Sequence, residues 1–237
     1  MGSARDRLIV SLDVPNAAEA QRIVTALGEA VSFYKVGKHL FTAAGPAVVR
    51  DLVGSGRKVF LDLKFHDIPN TVASAVRSAS ELGVAMLTVH ASGGSKMLKA
   101  AAEAAAAAKQ PPLVLAVTVL TSLDDADLKE IGVAAPAQQQ VLRLATLAHK
   151  AGCGGVIASA LEAKAIRQAL GAGFTIVTQG VRPAGSAKDD QSRVATPAEA
   201  IAAGADYIGV GRPITRAKDP AAAARAILEE ISPRVLA

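Results

Sequence analysis

The chain has very few cysteine and aromatic residues. It contains one cysteine, Cys153, among 237 residues, so no disulfide can form within the chain. Tryptophan is absent, and aromatic residues make up 3% of the sequence. Proteins that bind single-stranded nucleic acid stack its bases on aromatic side chains. Because such side chains are scarce and no dense run of lysine and arginine occurs, we expect no nucleic-acid partner.

Long apolar runs are missing as well. A membrane-spanning helix needs about 20 predominantly apolar residues, and charged residues, glycine or proline interrupt the apolar stretches of this chain. Residues 1–14 lack the apolar core and cleavage site of a signal peptide. We therefore expect no membrane association and a cytoplasmic location. The net charge of +5 fits either a slight excess of surface lysine and arginine or the attraction of an anionic small molecule.

Eight short apolar runs alternate with segments of helical period. We predict strands over residues 8–13, 33–37, 58–64, 86–91, 113–119, 154–159, 174–179 and 206–211. We predict helices over residues 16–30, 45–55, 69–82, 94–109, 136–151, 160–170, 196–203 and 219–231. This alternation is typical of parallel strands joined by crossover helices, with both faces of the sheet covered. It predicts an α/β fold with one (β/α)8 TIM-barrel domain over residues 1–237, in preference to an open doubly wound sheet.

Polar residues follow several of the predicted strands. The carboxyl ends of the strands carry the chemistry in barrels of this kind. The candidates at those ends are Asp13, Lys35, Asp62, Lys64, Thr121, Ser122, Gln179, Arg182, Gly211 and Arg212. Surface charge alone would not select the ends of apolar strands so consistently.

The densest group of these residues surrounds the third predicted strand. Strand alternation places Asp62 and Lys64 on one face, about 7 Å apart along the chain. Lys35 belongs to the neighbouring strand, and Asp67 lies three residues beyond Lys64. Buried ion pairs are costly to build, and perturbed ionisable groups cluster at functional sites, so we interpret the four residues as catalytic. A structural ion pair, and a helix-capping role for Asp67, are the alternatives.

The last predicted strand indicates a phosphate site. Gly211 permits close approach of the backbone, and Arg212 supplies a bidentate donor. Phosphate sites after the seventh and eighth strands recur in this fold. Arg182 follows the seventh strand, and the hydrophilic stretch 184–193, which contains Gln191, is either a lid over the anion or an ordinary surface loop.

No motif predicts a metal ion or a cofactor. The histidines have no metal-ligand spacing with cysteine or carboxylates. The glycine pairs lack the ordered fingerprint of a dinucleotide site. Cys153, in the segment AGCGGV, is interpreted as a small buried residue and not as a nucleophile. We therefore expect no metal and no cofactor.

Taken together, these motifs resemble those of the orotidine 5'-phosphate decarboxylases, the bacterial type especially. The resemblance is carried from the first strand to the last by LDVP (12–15), YKVG (34–37), DLKFHDIPNT (62–71), TVHASGG (88–94), VTVLTS (117–122), GVRP (180–183) and GVGRPIT (209–215). It implies a homodimer with active sites shared between subunits. It also implies decarboxylation of orotidine 5'-monophosphate to uridine 5'-monophosphate, the last step of de novo pyrimidine nucleotide synthesis.

The same resemblance implies a role for each candidate. Lys35, Asp62, Lys64 and Asp67 would form an alternating charge network, with Lys64 as proton donor and Asp67 supplied by the partner subunit. The substrate contacts that it implies are Asp13 and Thr71 at the ribose hydroxyls, Ile68 beside Asp67, Thr121 and Ser122 at the pyrimidine, and Arg182, Gln191, Gly211 and Arg212 at the phosphate.

Two other functions remain open from the sequence. The nearest is a Mg²⁺-dependent decarboxylase or aldolase that acts on a sugar phosphate and shares the D-x-K-x-x-D motif. The segments IPNT (68–71) and LTS (120–122) favour the pyrimidine enzyme. The second is a nucleotide-binding barrel without catalysis, because a fold does not by itself specify a function. A complete lysine and aspartate network argues against it, since a binding protein has no need of one.

Overall fold

Eight parallel strands close into a barrel. The structure, a computed structural model, describes residues 3–183 and 195–232. Each strand pairs with the next along the chain, and the first pairs with the last. The strands are β1 (Leu8–Ser11), β2 (Phe33–Gly37), β3 (Lys58–Phe65), β4 (Met86–His90), β5 (Leu113–Val117), β6 (Gly155–Ala158), β7 (Thr175–Thr178) and β8 (Tyr207–Val210). The predicted closed barrel is confirmed, and the open sheet is not observed.

Helices surround the barrel. They are α1 (Ala4–Arg7), α2 (Ala17–Leu27), α3 (Lys38–Ala44), α4 (Ala47–Gly54), α5 (Pro69–Glu81), α6 (Gly94–Ala106), α7 (Asp125–Glu130), α8 (Ala137–Lys150), α9 (Ala160–Leu170), α10 (Pro197–Ala202), α11 (Arg212–Thr215) and α12 (Pro220–Ile231). Short 3-10 helices cover Gly28–Ala30 and Ala91–Gly93. The eight predicted helices are all present. Four short ones, α1, α3, α7 and α11, were not predicted, because four to seven residues are too few to show a helical period.

Local signals define many of the helix ends. The side chains of Asn16, Thr196 and Asp219 accept hydrogen bonds from backbone N–H groups in the first turns of α2, α10 and α12. Gly171 follows α9 with φ of 77°, a left-handed conformation that glycine adopts without steric penalty. Residue type therefore indicates where α2, α10 and α12 begin and where α9 ends.

The interior of the barrel is packed with apolar side chains. One cluster lies among the strands: Ile9, Phe33, Phe60, Met86, Leu115, Val117, Ile157 and Val177. Phe60 precedes Asp62 by two residues in β3, so alternation puts both inside the barrel, with Phe60 in the floor below the carboxylate. A larger cluster joins the outer faces of the strands to the helices. The apolar side chains fill the barrel below the polar strand ends, and residues at those ends line a cavity.

Two further features of the chain are the environment of Cys153 and the length and polarity of its helices. Cys153 is buried, and burial raises the pKa of its thiol to about 12, which agrees with a packing role and not with a nucleophile. Within residues 3–183 and 195–232, no helix is both long and apolar enough to cross a membrane.

Candidate active site

A cavity of about 480 Å³ lies at the carboxyl ends of the strands. The residues that line it include Asp13, Lys35, Gln179, Arg182, Gly211 and Arg212. They come from the ends of β1, β2, β7 and β8, which are far apart in sequence and adjacent in the closed barrel. The structure therefore brings together most of the residues that were predicted as candidates at the strand ends.

A chain of ion pairs crosses the mouth of the barrel. The Lys64 ammonium contacts both carboxylate oxygens of Asp62, with Nζ–Oδ1 and Nζ–Oδ2 distances of 2.8 and 2.9 Å. Lys35 Nζ lies 3.5 Å from Asp62 Oδ2 and 3.1 Å from Asp13 Oδ1. The side chains of Asp62 and Lys35 are only 2% and 8% exposed. Asp62 is thus a buried anion between two cations.

Electrostatics keep this cluster ionised. Burial alone would raise the pKa of Asp62, but the charges of Lys35 and Lys64, with a hydrogen bond from Lys64, lower it to about 2. Burial alone would lower the pKa of Lys35, and the carboxylates of Asp62 and Asp13 more than reverse this effect, so its pKa is raised. Both groups are therefore charged at neutral pH.

The backbone at Lys64 departs from regular strand geometry. Its φ is 53°, and in residues 3–183 and 195–232 it is the only residue other than glycine with a positive φ. A left-handed conformation costs roughly 1–2 kcal/mol for such a residue. Strain of this kind is concentrated at functional sites, where the surrounding structure enforces it. At Lys64, the enforced backbone directs the ammonium group to Asp62.

Two further side chains bind Asp62. The Thr88 hydroxyl donates to Asp62 Oδ1 at 3.0 Å, and the Gln179 amide donates to Oδ2 at 3.2 Å. Gln179 was predicted only as a polar residue after the seventh strand, without a role, and Thr88 was not predicted as a site residue. The available signal for Thr88 was a polar residue in the middle of the apolar strand MLTVH. Its partner could not be read from the sequence, because 26 residues separate the two.

Gly37 leaves room for the pair of Asp13 and Lys35. A Cβ atom at this position would lie 2.9 Å from Asp13 Oδ1 and 3.1 Å from Lys35 Nζ. A side chain here would force both charged groups to move. The glycine at the end of β2 therefore permits the close approach of β1 and β2 side chains.

Asp67, Ile68 and Thr71 lie outside the cavity of this single chain. They occupy the connection from β3 to α5 and the first turn of α5, and all three are exposed. Asp67 Oδ1 accepts a hydrogen bond from the backbone N–H of Ile68, and Ile68 itself is 67% exposed. In the part of the chain that the structure describes, Asp67 forms no salt bridge. Residue 68, and not Asp67, is the N-cap of α5.

The remaining predicted contacts divide between the β5 end and the phosphate side. Thr121 and Ser122 follow β5, partly buried and exposed respectively, and do not line the 480 Å³ cavity. Arg182 is buried, and its backbone N–H donates to Ala195 O at 2.9 Å. This bond joins two residues that flank the segment 184–194 in the sequence. The predicted contact at Gln191, in the predicted lid or loop, lies outside the described residues.

Two histidines stack beside the charged cluster. The rings of His66 and His90 have centroids 5.3 Å apart, and Ser92 Oγ lies 2.7 Å from His90 Nδ1. Burial, together with the nearby charges of His66, Lys64 and Lys38, lowers the pKa of His90. His90 is therefore neutral at pH 7 and adds no charge beside Lys64.

Comparison with known proteins identifies the family to which the sequence is similar. The family model described as "Orotidine 5'-phosphate decarboxylase / HUMPS family" matches residues 6–227. The orotidine 5'-phosphate decarboxylase of Halorhodospira halophila is 58% identical over 226 residues, which are 95% of this chain and 96% of that protein. The one from Idiomarina loihiensis is 53% identical, over 96% of this chain and 99% of that protein.

Solved structures give the same result. The orotidine 5'-phosphate decarboxylase of Lactobacillus acidophilus matches with a TM-score of 0.85 and 42% identity, over 95% of this chain and 98% of that one. The enzyme of the same name from Pyrococcus horikoshii matches with a TM-score of 0.77 and 28% identity, over 94% and 98% of the two chains. The family resemblance read from the sequence motifs is thereby confirmed. The chain belongs to the orotidine 5'-phosphate decarboxylase / HUMPS family.

Proposed function

We propose that this chain decarboxylates orotidine 5'-monophosphate to uridine 5'-monophosphate and CO2, the last step of de novo pyrimidine nucleotide synthesis. One observation carries the proposal: in a member of this family, the Lys64 ammonium is held by the buried carboxylate of Asp62 at the mouth of the barrel. Curated relatives that are 52–58% identical over nearly the whole chain are orotidine 5'-phosphate decarboxylases by name. They favour this activity over that of a sugar-phosphate enzyme.

The cavity accommodates a nucleotide with its phosphate at the β7 and β8 ends. Arg182 and Arg212 line that side, and Gly211 lets the backbone approach the anion. Gln191 completes the phosphate contacts from the segment 184–194. Asp13, held by Lys35, binds the ribose hydroxyls, and Thr121 and Ser122 contact the pyrimidine. Binding energy at the remote phosphate then contributes to the chemical step.

Lys64 performs the proton transfer. The bond between C6 of the pyrimidine and its carboxyl carbon breaks, CO2 leaves, and the electron pair remains on C6. The Lys64 ammonium stabilises this negative charge as it develops and donates its proton to C6. Solvent then returns a proton to the Lys64 amine. Lys35 holds Asp62 in place, and the Asp62 carboxylate holds the Lys64 ammonium and disfavours the substrate carboxylate beside it.

The active form is a homodimer in which each site uses residues of both subunits. Asp67 and Ile68 on the β3–α5 connection, and Thr71 in the first turn of α5, are exposed and lie outside the cavity. A two-fold axis near this connection places each of them in the site of the other subunit. Asp67 then joins Lys35, Asp62 and Lys64 in the charge network, and Thr71 contacts the ribose.

The proposal is tested with the purified full-length chain and orotidine 5'-monophosphate. We expect its ultraviolet absorbance to fall as uridine 5'-monophosphate forms, at a rate that excess chelator leaves unchanged. The chelator separates this reaction from that of a Mg²⁺-dependent sugar-phosphate enzyme. Absence of turnover would disprove the function, and loss of turnover with chelator would disprove the metal-free mechanism. Tight binding of uridine 5'-monophosphate without turnover would identify a nucleotide-binding protein.

A further inference from the structure

The pairing of β3 with β4 is interrupted where the charged cluster lies. Leu61 pairs with Leu87, and the next paired residues are Phe65 and Val89. Three residues of β3, from Asp62 to Lys64, therefore lie opposite the single residue Thr88. Extra residues in one strand disrupt the ladder locally and redirect side chains. The backbone N–H of Lys64 consequently needs an acceptor other than a β4 carbonyl.

Thr88 supplies that acceptor from its side chain. Lys64 N donates to Thr88 Oγ1 at 2.8 Å, and the same hydroxyl donates its proton to Asp62 Oδ1 at 3.0 Å. Thr88 is completely buried, so water does not replace either bond. One hydroxyl group thus connects the main chain of Lys64 to the carboxylate that Lys64 faces.

These bonds stabilise an otherwise unfavourable backbone. Lys64 has a left-handed φ of 53°, which residues other than glycine avoid. An unpaired buried N–H group is also unfavourable, so the left-handed conformation depends on the acceptor at Thr88. Without the hydroxyl, the irregular segment can relax toward regular strand geometry, which moves the ammonium of Lys64.

We propose that Thr88 is a positioning residue, whose hydroxyl fixes the backbone of Lys64 and the carboxylate of Asp62 in the arrangement that proton transfer to C6 requires. This inference rests on the proposed function. Thr88 is completely buried and does not line the cavity, so we expect its effect to fall on the chemical step and not on nucleotide binding. Misplacement of a reacting group by about 1 Å can lower a rate by as much as 100-fold.

The main test replaces Thr88 by valine, which keeps the shape and removes the hydroxyl. We expect kcat for orotidine 5'-monophosphate to fall about 10- to 100-fold while KM stays within about threefold. Thr88→Ser, which restores the hydroxyl, should recover kcat to within about fivefold of wild type. A Thr88→Val kcat within about twofold of wild type would overturn the inference. Should Thr88→Val not fold, Thr88→Cys is compared with Thr88→Ser, because a thiol is a weak donor and acceptor.

Thr178→Val is the matched control. Thr178 is also a completely buried strand residue, and its hydroxyl donates to the backbone carbonyl of Tyr207 at 3.4 Å. The substitution is the same, but in the part of the chain that the structure describes the Thr178 hydroxyl makes no hydrogen bond to a charged side chain. We expect its kcat to stay near that of wild type. Equal losses of kcat in both variants would mean that any buried threonine matters, and would refute a specific role for Thr88.

A second measurement does not depend on substrate. Hydrogen–deuterium exchange at the Lys64 amide should be at least about tenfold faster in Thr88→Val than in wild type, and unchanged in Thr178→Val. Unchanged exchange in Thr88→Val would refute the backbone part of the inference. If wild type does not turn over orotidine 5'-monophosphate, the proposed function fails while the exchange result still stands. If wild type is active and Thr88→Val is equally active, only the role of Thr88 fails.

Discussion

Asp62 is a buried carboxylate with a full set of hydrogen-bond donors. Lys64 contacts both of its oxygens, Lys35 and Gln179 approach Oδ2, and Thr88 donates to Oδ1. A charge withdrawn from water is tolerated only when its partners satisfy it in this way. The removal of either lysine therefore changes the charge balance of the site, whereas the removal of Thr88 or Gln179 takes away a neutral hydrogen-bond donor.

Asp62→Asn should reduce stability in a pH-dependent manner. Because the pKa of Asp62 is lowered to about 2, its ionised form stabilises the fold above pH about 4, and this contribution is lost as pH falls toward 2. The variant leaves Lys64 without its anion and Lys35 with Asp13 alone, so we expect a loss of roughly 3 kcal/mol at pH 7. Urea denaturation at pH 7 and near pH 2.5 should show the difference from wild type shrinking in acid.

The control for that measurement is Asp51→Asn. Asp51 is an exposed residue of α4, and its replacement should change the free energy of unfolding by no more than about 0.5 kcal/mol at either pH. A difference between Asp62→Asn and wild type that stays constant from pH 7 to pH 2.5 would contradict the lowered pKa.

Lys64→Ala should abolish almost all activity. The variant loses both the proton donor and the charge that stabilises C6, so we expect kcat to fall at least about 1000-fold. Turnover of orotidine 5'-monophosphate measures the loss. Lys99→Ala removes an exposed lysine of α6 and should keep the wild-type rate. A Lys64→Ala enzyme within tenfold of wild type would be incompatible with proton donation by this residue.

The strands and helices differ in how strongly local sequence specifies them. The helices predicted to begin near residues 16, 196 and 219 are confirmed. Their caps, Asn16, Thr196 and Asp219, are local features, because a cap involves only the next three residues. The interruption of β3 was not expected. Alternation correctly puts Asp62 and Lys64 on one face, but the left-handed backbone of Lys64 depends on Thr88 in another strand.

Asp219→Ala should destabilise α12 measurably. The Asp219 carboxylate accepts a hydrogen bond from Ala222 N at 2.9 Å at the start of this helix. Loss of an N-cap acceptor costs about 1 kcal/mol, which chemical denaturation can detect. Asp219→Asn keeps an acceptor and should stay within about 0.3 kcal/mol of wild type. Equal stability of the alanine and asparagine variants would show that the cap contributes nothing here.

At the level of the assembled protein, the proposed dimer completes the site of each chain with residues of the other. Asp67 and Ile68 on the β3–α5 connection, and Thr71 in the first turn of α5, are exposed and lie outside the cavity of their own chain. Ile68 is the most exposed large apolar residue in the part of the chain that the structure describes. Large apolar side chains in such positions are typical of interaction surfaces when they adjoin a functional site. The proposed dimer gives this connection a role that a monomer does not.

Co-expression of two inactive variants tests the shared site. In a heterodimer of Lys64→Ala and Asp67→Ala subunits, one site receives intact Lys64 from one chain and intact Asp67 from the other. Random pairing should therefore restore about a quarter of the wild-type activity. Lys64→Ala paired with Asp62→Asn is the control and should stay inactive, since both residues come from one chain. No recovery in the first pair would mean that Asp67 does not act across the interface.

The order and faces of the barrel elements, and the identity of several cavity residues, follow from the sequence by itself. Apolar periodicity, caps and strand-end polar residues are local, and eight successive βα units close in only one simple way. The partners of Asp62 and the backbone of Lys64 were decided only by the tertiary structure. Gln179 lies 117 residues from Asp62, and closure of the barrel is what brings β3, β4 and β7 side chains to one carboxylate.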